Sequence, residues 1–172
     1  MTITLVETVG SASANSFVSV AEADAYLEAR LNSSAWTGAE PKKQALIEAT
    51  RDLCNETYQG YRASATQALA WPRSDAPNPD GETDSVYFET TVIPQRVKDA
   101  TCELALEFLR AGTTDVASLS STAGMIEKTT GPLTTKWADP SAIAAGLSRY
   151  PRVAALIQPL FGIGSGQVRL TR

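Results

Sequence analysis

The chain has 172 residues, 43% of them hydrophobic and 20% charged, with a formal net charge of −4 and no histidine. That length fits one domain, and the balance of apolar and charged residues excludes wholesale disorder and the membrane-spanning classes. The absence of imidazole removes the commonest general base, the Ser-His-Asp arrangement and histidine metal ligation together, so the expectation is a non-enzymatic protein with no cofactor and no resident metal.

Taken in chain order, Thr2–Val6 alternates and predicts a short edge strand or ordered arm, followed by a small, polar connection over Gly10–Ser16. The N-terminus lacks the basic, apolar and small-residue sections of a signal peptide, and a cytosolic product is expected. Ser19 is a candidate N-cap for a helix over Val20–Leu31, in which Val20, Ala23, Leu27 and Leu31 share a face. Glu22, three residues after Ser19, completes a capping box.

Asn32–Gly38 breaks the pattern, and Pro41 suits the first turn of a second helix running to about Tyr58. Leu46, Ala49, Leu53 and Thr57 form its stripe, widened by Ile47, Cys54 and Tyr58, which predicts packing on two sides. The turn-rich segment Ser74–Asp84 reads as an exposed loop. Ile93-Pro94 opens a third helix through Val97, Ala100, Leu104 and Phe108 to Ala111, capped by Gly112, and this is the expected central helix. Met125–Trp137, with two Thr-rich arms around Gly131-Pro132, predicts a β-hairpin or a pair of extended segments. An Ala-rich linker after Asp139-Pro140 precedes a last helix from about Arg149, with Pro151 in its first turn. Gly162–Arg172 reads as a hinge and an alternating basic tail.

The expected fold class is mainly α: a small helical bundle with a β-hairpin or extended arm and an extended C-terminal tail. Residues 1–112 form the helical core with an N-terminal arm and the exposed loop 74–84. Residues 113–161 carry the hairpin and C-terminal helix, and 162–172 a flexible docking tail, in one structural domain with appendages.

Candidate chemistry is sparse. Glu103 and Glu107 stand at i and i+4 and read as a solvated helix face. Gly162, Gly164 and Gly166 lack the following helix and the later acid of a dinucleotide fingerprint. Asp75, Asp80, Glu82 and Asp84 do not follow calcium-loop spacing. Cys54 and Cys102 lack metal-ligand spacing and are expected as buried free thiols. For single-stranded nucleic acid the stacking and phosphate-binding set would be Tyr58, Tyr61, Arg62, Trp71 and Arg73. A small satellite aromatic core explains the same aromatics. Charge is asymmetric: Met1–Glu40 holds five acids against Arg30 alone, whereas no acid follows Asp139 and the final stretch carries Arg149, Arg152, Arg169 and Arg172. Such polarity suits subunits that stack.

Specific stretches carry a resemblance: Ala14–Tyr26, Leu46–Arg51, Gln67–Arg73, Ile93–Thr101, Met125–Leu133 and Tyr150–Leu160 together resemble the phage proteins labelled DnaT-like single-stranded-DNA-binding proteins. The architecture of helices, extended segments and a tail is also similar to the head-tail adaptor (connector) proteins of tailed bacteriophages. That second resemblance implies a virion protein of the head-tail neck, assembled in the host cytoplasm. It implies a ring of about twelve copies beneath the portal, joined to a downstream neck or tail protein, with packaged double-stranded DNA passing through the channel and no membrane. Portal docking would fall to Gln167, Val168, Arg169, Leu170 and Arg172, and subunit or partner contacts by the extended arm to Met125, Ile126, Leu133 and Trp137. The alternative, a single-stranded-DNA-binding protein of phage replication, would use Arg62, Trp71 and Arg73. The acidic balance and the sparse interleaving of basic with aromatic residues favour the adaptor.

Overall fold

In the computed structural model, which describes residues 3–81, 86–112, 127–130, 133–136 and 146–161, Ser19 starts the first helix, α1 (Val20–Glu28). Its hydroxyl accepts the Glu22 N–H at 3.1 Å while the Glu22 carboxylate accepts the Ser19 N–H at 2.8 Å, so two orphan donors of the first turn are satisfied. The helix stops short of the expected Leu31. Arg30 turns toward Glu103 on a distant helix, Asn32 takes a left-handed φ of 60°, and Leu31 is left 82% exposed.

Helix α2 (Ala39–Cys54) has Pro41 in its first turn, as expected, but ends before Tyr58. The N–H groups of Asn55 and Glu56 close onto the carbonyls of Asp52 and Leu53. Tyr58 then leaves the helix for an antiparallel bridge to Phe161, its hydroxyl donating to the Leu53 carbonyl at 2.9 Å.

Ahead of the expected loop, and meeting it only at Ser74, stands a small antiparallel ribbon, β1 (Tyr61–Arg62) against β2 (Arg73–Ser74), in the register Tyr61↔Ser74. Gly60, at φ +70°, lies so close to the Ser74–Ala76 backbone that a Cβ there would fall 2.7 Å from the Ala76 nitrogen. The following segment is not simply exposed: Ala76 is buried, Pro77 bridges to Tyr87, and the Phe88 N–H donates to the Ala76 carbonyl. The N-terminal arm is also no ladder strand. Asn15 clamps it, accepting the Val6 N–H at 2.7 Å and donating to the Thr4 carbonyl at 2.9 Å. Glu40 accepts the Ile3 N–H and Lys43 donates to the Ile3 carbonyl, tying the arm to α2.

Helix α3 (Gln95–Ala111) ends at left-handed Gly112 and is the central element, packing on α1, α2 and α4 (Pro151–Ile157). Val97, Ala100, Leu104, Leu106 and Phe108 from α3 meet Ala23 and Leu27 from α1, Leu46, Ala49 and Leu53 from α2, and Val153 and Ile157 from α4 in one buried cluster. Each fully buried large aliphatic or aromatic side chain there contributes about 1.5–3 kcal/mol. The C-terminal helix therefore belongs to the same core. A 3-10 turn (Gly146–Arg149) leads into it and another (Gln158–Leu160) leaves it. Strands β3 (Glu127–Thr130) and β4 (Leu133–Lys136) form the expected hairpin, with Thr130 opposite Leu133. The protein is thus mainly helical with a small hairpin. Among the described residues no helix is long and apolar enough to cross a membrane.

Candidate interaction surfaces

The sequence brings Trp71 and Arg73 to the surface of attention as nucleic-acid contacts, and the fold turns both inward. Trp71 is 1% exposed, its ring edge-on to Tyr58 at 5.5 Å and to Phe88 at 5.6 Å, with Phe161 completing the cluster against Tyr58. No face of the indole is left for a base. Arg73 donates to four backbone carbonyls: Gln59 at 2.7 Å, Ala70 at 3.1 Å, Tyr58 at 3.2 Å and Gly60 at 2.5 Å. Burial and then the nearby Arg62 charge lower its proton affinity, yet a guanidinium remains a cation throughout the ordinary pH range. Its donors are used in joining the end of α2 to the ribbon. The satellite aromatic core is therefore real, built from Tyr58, Trp71, Phe88 and Phe161.

Of the expected set only Tyr61, 74% exposed, and Arg62 are exposed, while Arg73 is half-buried. Sequence reasoning missed Val86 and Tyr87, which are also exposed. The alternation of Val86, Tyr87 and the partly buried Phe88 after a turn-rich loop was the available signal.

Glu103 corrects another expectation. It is 1% exposed, and Arg30 grips it at two points, Nε to Oε1 at 2.7 Å and Nη2 to Oε2 at 3.0 Å, while the Tyr26 hydroxyl donates to Oε1 at 3.1 Å. Burial alone pushes this carboxyl up, but the Arg30 hydrogen bonds and charge, with Tyr26 and Arg152, outweigh it and hold the proton affinity below the ordinary value. Glu107 pairs instead with Arg110 on the same helix. The two acids share a helix face in sequence and diverge in environment because only Glu103 lies under α1.

Asp80 accepts two hydrogen bonds from Arg96, at 2.7 and 2.8 Å, so its charge is already answered by a cation. Among the described residues no group of three or more potential metal ligands converges. Cys54 is half-buried and Cys102 buried, both as free thiols, and desolvation pushes the Cys102 thiol up to about 12. Met125, Ile126, Trp137 and the tail residues Gln167, Val168, Arg169, Leu170 and Arg172 lie outside the described residues, and Leu133 opens β4.

A concave feature lies between the C-terminal end of α2 and the approach to α4. Asp52, Asn55, Glu56, Gly146, Leu147 and Tyr150 line a cavity of about 190 Å³. It adjoins a second of about 420 Å³ that shares Glu56, Gly146 and Leu147 and extends to Ala154, Ile157, Gln158 and Phe161. Burial, reinforced by Glu48, raises the proton affinity of Asp52. The Tyr150 hydroxyl is buried without a hydrogen-bond partner among the described residues.

Comparison with known proteins gives one match. A family model described as "Putative DnaT-like ssDNA binding protein" covers residues 1–172. No curated protein and no solved structure matches.

Proposed function

The chain belongs to the DnaT-like ssDNA-binding family over its whole length, and from that premise we propose that this member works by holding protein partners, as a head-tail adaptor of a tailed bacteriophage. The observation that carries the reading is the inward commitment of Trp71 and Arg73. Single-stranded nucleic acid is held by cations on phosphates and aromatic rings under bases. Here the indole is inside the core and the best-placed guanidinium is shared among four carbonyls.

What the described surface offers is better suited to protein. Exposed Val9, Leu31, Val86, Tyr87 and Val92 stand on a chain of net charge −4. In this reading about twelve copies close into a ring through a repeated heterologous contact. The basic tail with Val168, Arg169 and Leu170 engages the portal, and the hairpin region reaches a neighbour or a downstream neck protein. Packaged double-stranded DNA passes through a channel whose acidic lining does not retain it. The protein is then a non-enzymatic virion component, assembled in the host cytoplasm.

The family description favours a second reading, a single-stranded-DNA-binding protein, and the exposed pair Tyr61 and Arg62 is where that reading would have to act. Native mass measurement of the protein alone and with its candidate portal, beside anisotropy titration of labelled single-stranded oligonucleotides at several salt concentrations, separates the two. A portal-bound ring with no salt-dependent oligonucleotide binding supports the adaptor. Indifference to the portal, with oligonucleotide binding lost in Tyr61→Ala and Arg62→Ala, replaces it by the second reading.

A further inference from the structure

We propose that the step from Asp80 to Gly81 is a latent site of covalent modification, isoaspartate formation, and that Arg96 keeps it closed in the folded protein by holding both oxygens of the Asp80 carboxylate. The inference concerns the free chain and does not depend on the portal.

No other Asp or Asn in the sequence precedes a glycine. Glycine has no Cβ, so the nitrogen that follows Asp80 is unhindered and the backbone there turns freely. In the reaction the Gly81 nitrogen bonds to Asp80 Cγ and gives up its proton, while the Cγ–OH bond of the protonated carboxyl breaks and water leaves, closing a succinimide. Water then opens the ring at either carbonyl carbon. Opening at the former main-chain carbonyl leaves isoaspartate, with no net change in composition. The Asp80 side chain is 61% exposed, so water reaches the step.

Contacts on both sides of the bond oppose ring closure. Arg96 donates from Nε to Oδ2 at 2.7 Å and from Nη2 to Oδ1 at 2.8 Å, a two-point fork that fixes the rotation of the carboxylate as well as answering its charge. The Arg96 hydrogen bonds, aided by its charge, outweigh desolvation and hold the carboxyl below its ordinary proton affinity, away from the protonated form that loses water. On the other side the Gly81 N–H donates to the Asn78 carbonyl at 3.1 Å, and the Asp80 N–H donates to Asn78 Oδ1 at 3.2 Å. Of these partners only Arg96, in the first turn of α3, comes from another element. Isoaspartate lengthens the main chain by one methylene and draws the carboxylate away from Arg96, which undoes the brace between α3 and this turn. The Asn78 N–H also donates to the Val86 carbonyl at 2.7 Å, so the same change reaches the exposed Val86 and Tyr87.

Incubation of the full-length chain at mildly acid pH, followed by digestion and electron-transfer mass spectrometry, counts isoaspartate at residue 80 beside a synthetic peptide spanning the same turn. The folded protein is expected to accumulate it about tenfold or more slowly than the peptide, because the site must open before it reacts. Arg96→Gln should raise the rate about fivefold or more, by removing both charge-assisted hydrogen bonds at once. Arg110→Gln removes an ion pair toward the other end of the same helix and should leave the rate unchanged. Asp80→Glu should abolish the signal, since its longer side chain would have to close a six-membered ring. Peptide-like accumulation in the unaltered protein overturns the proposal, as does a rate that Arg96→Gln does not move. Equal acceleration by Arg110→Gln overturns it by assigning the effect to general loosening, and a signal that survives Asp80→Glu overturns it by placing the reaction elsewhere. No portal enters the experiment, so its outcome and that of the adaptor test are separate.

Discussion

Arg30 and Glu103, 73 residues apart in the chain, meet in a two-point ion pair that fastens the turn after α1 to the middle of α3. The carboxylate is almost entirely inside the protein and the guanidinium only partly so, with side-chain exposures of 2% and 19%. Tyr26 adds a third hydrogen bond and Arg152 stands 3.8 Å away. Pairing and hydrogen bonding are what make a carboxylate tolerable at that depth.

Removing one partner should therefore cost more than removing both. Arg30→Ala is expected to destabilise by about 3 kcal/mol, because the charge left on Glu103 is buried and only weakly answered by Arg152. The double substitution Arg30→Leu, Glu103→Leu should recover much of that loss. Urea unfolding of the single and double variants measures both values, and equal losses would remove the pair from this role.

The same carboxylate sets an acid limit on stability. A group whose proton affinity is lower in the folded than in the unfolded chain stabilises above its unfolded pKa, near 4.3 for Glu, and that contribution disappears as pH falls through the folded value. Glu103 is lowered in this sense, so the urea midpoint should drop steeply below about pH 4. Glu22, held down first by Lys98, and Asp24, held down first by Lys42, act in the same direction but in water, where screening leaves them little weight. Asp52 runs the other way, since burial raises it. Glu103→Gln is expected to lower stability at pH 7 and to flatten the acid limb.

Arg73→Lys tests the fork that joins the end of α2 to the ribbon. An ammonium group is a single point with three donors, whereas the guanidinium reaches four carbonyls spread over Tyr58, Gln59, Gly60 and Ala70. The expected loss is about 2 kcal/mol, from carbonyls left without their charged donor. Thermal unfolding by circular dichroism reads it. Any fall in oligonucleotide binding by this variant should track its unfolding.

Gly60→Ala is expected to be among the most damaging small changes in the protein. The residue sits at φ +70°, and an added Cβ would collide with the Ser74 carbonyl and lie 2.7 to 2.8 Å from the Ala76 nitrogen and the Asp75 carbonyl carbon. Those are backbone atoms, and they cannot swing aside as a side-chain tip does. A loss of about 2 kcal/mol or more is expected, from strained φ and crowding together. Gly112→Ala is the control: its φ is similar but nothing lies within 4 Å of the added Cβ, so it should cost about 1 kcal/mol.

Helices and hairpin were legible in the sequence because their causes are local. The Ser19–Glu22 capping box, Pro41 in a first turn and Gly112 at a left-handed C-cap each act within a few residues of the element they delimit, and the hairpin pairs two arms close in sequence. The periodic apolar stripe of α3 likewise marked it as the central helix. Helix ends were read less well where a distant partner decides them: Arg30 leaves α1 for Glu103, and Tyr58 leaves α2 for Phe161.

The amino-acid sequence by itself determined the helical class, the order of the four α-helices and the hairpin, the family resemblance and the charge asymmetry from an acidic start to a basic end. Only the tertiary structure decided which polar and aromatic groups are spent inside. It buried Glu103 while leaving Glu107 half-exposed, turned Trp71 and Arg73 into core and brace, left Tyr61 and Arg62 outside, and set Asp52 beside Tyr150 around a cavity. Composition and spacing record a side chain's chemistry and its neighbours along the chain. Whether that chemistry faces water, a carbonyl or a counter-charge depends on residues tens of positions away, and those meet only when the chain is folded.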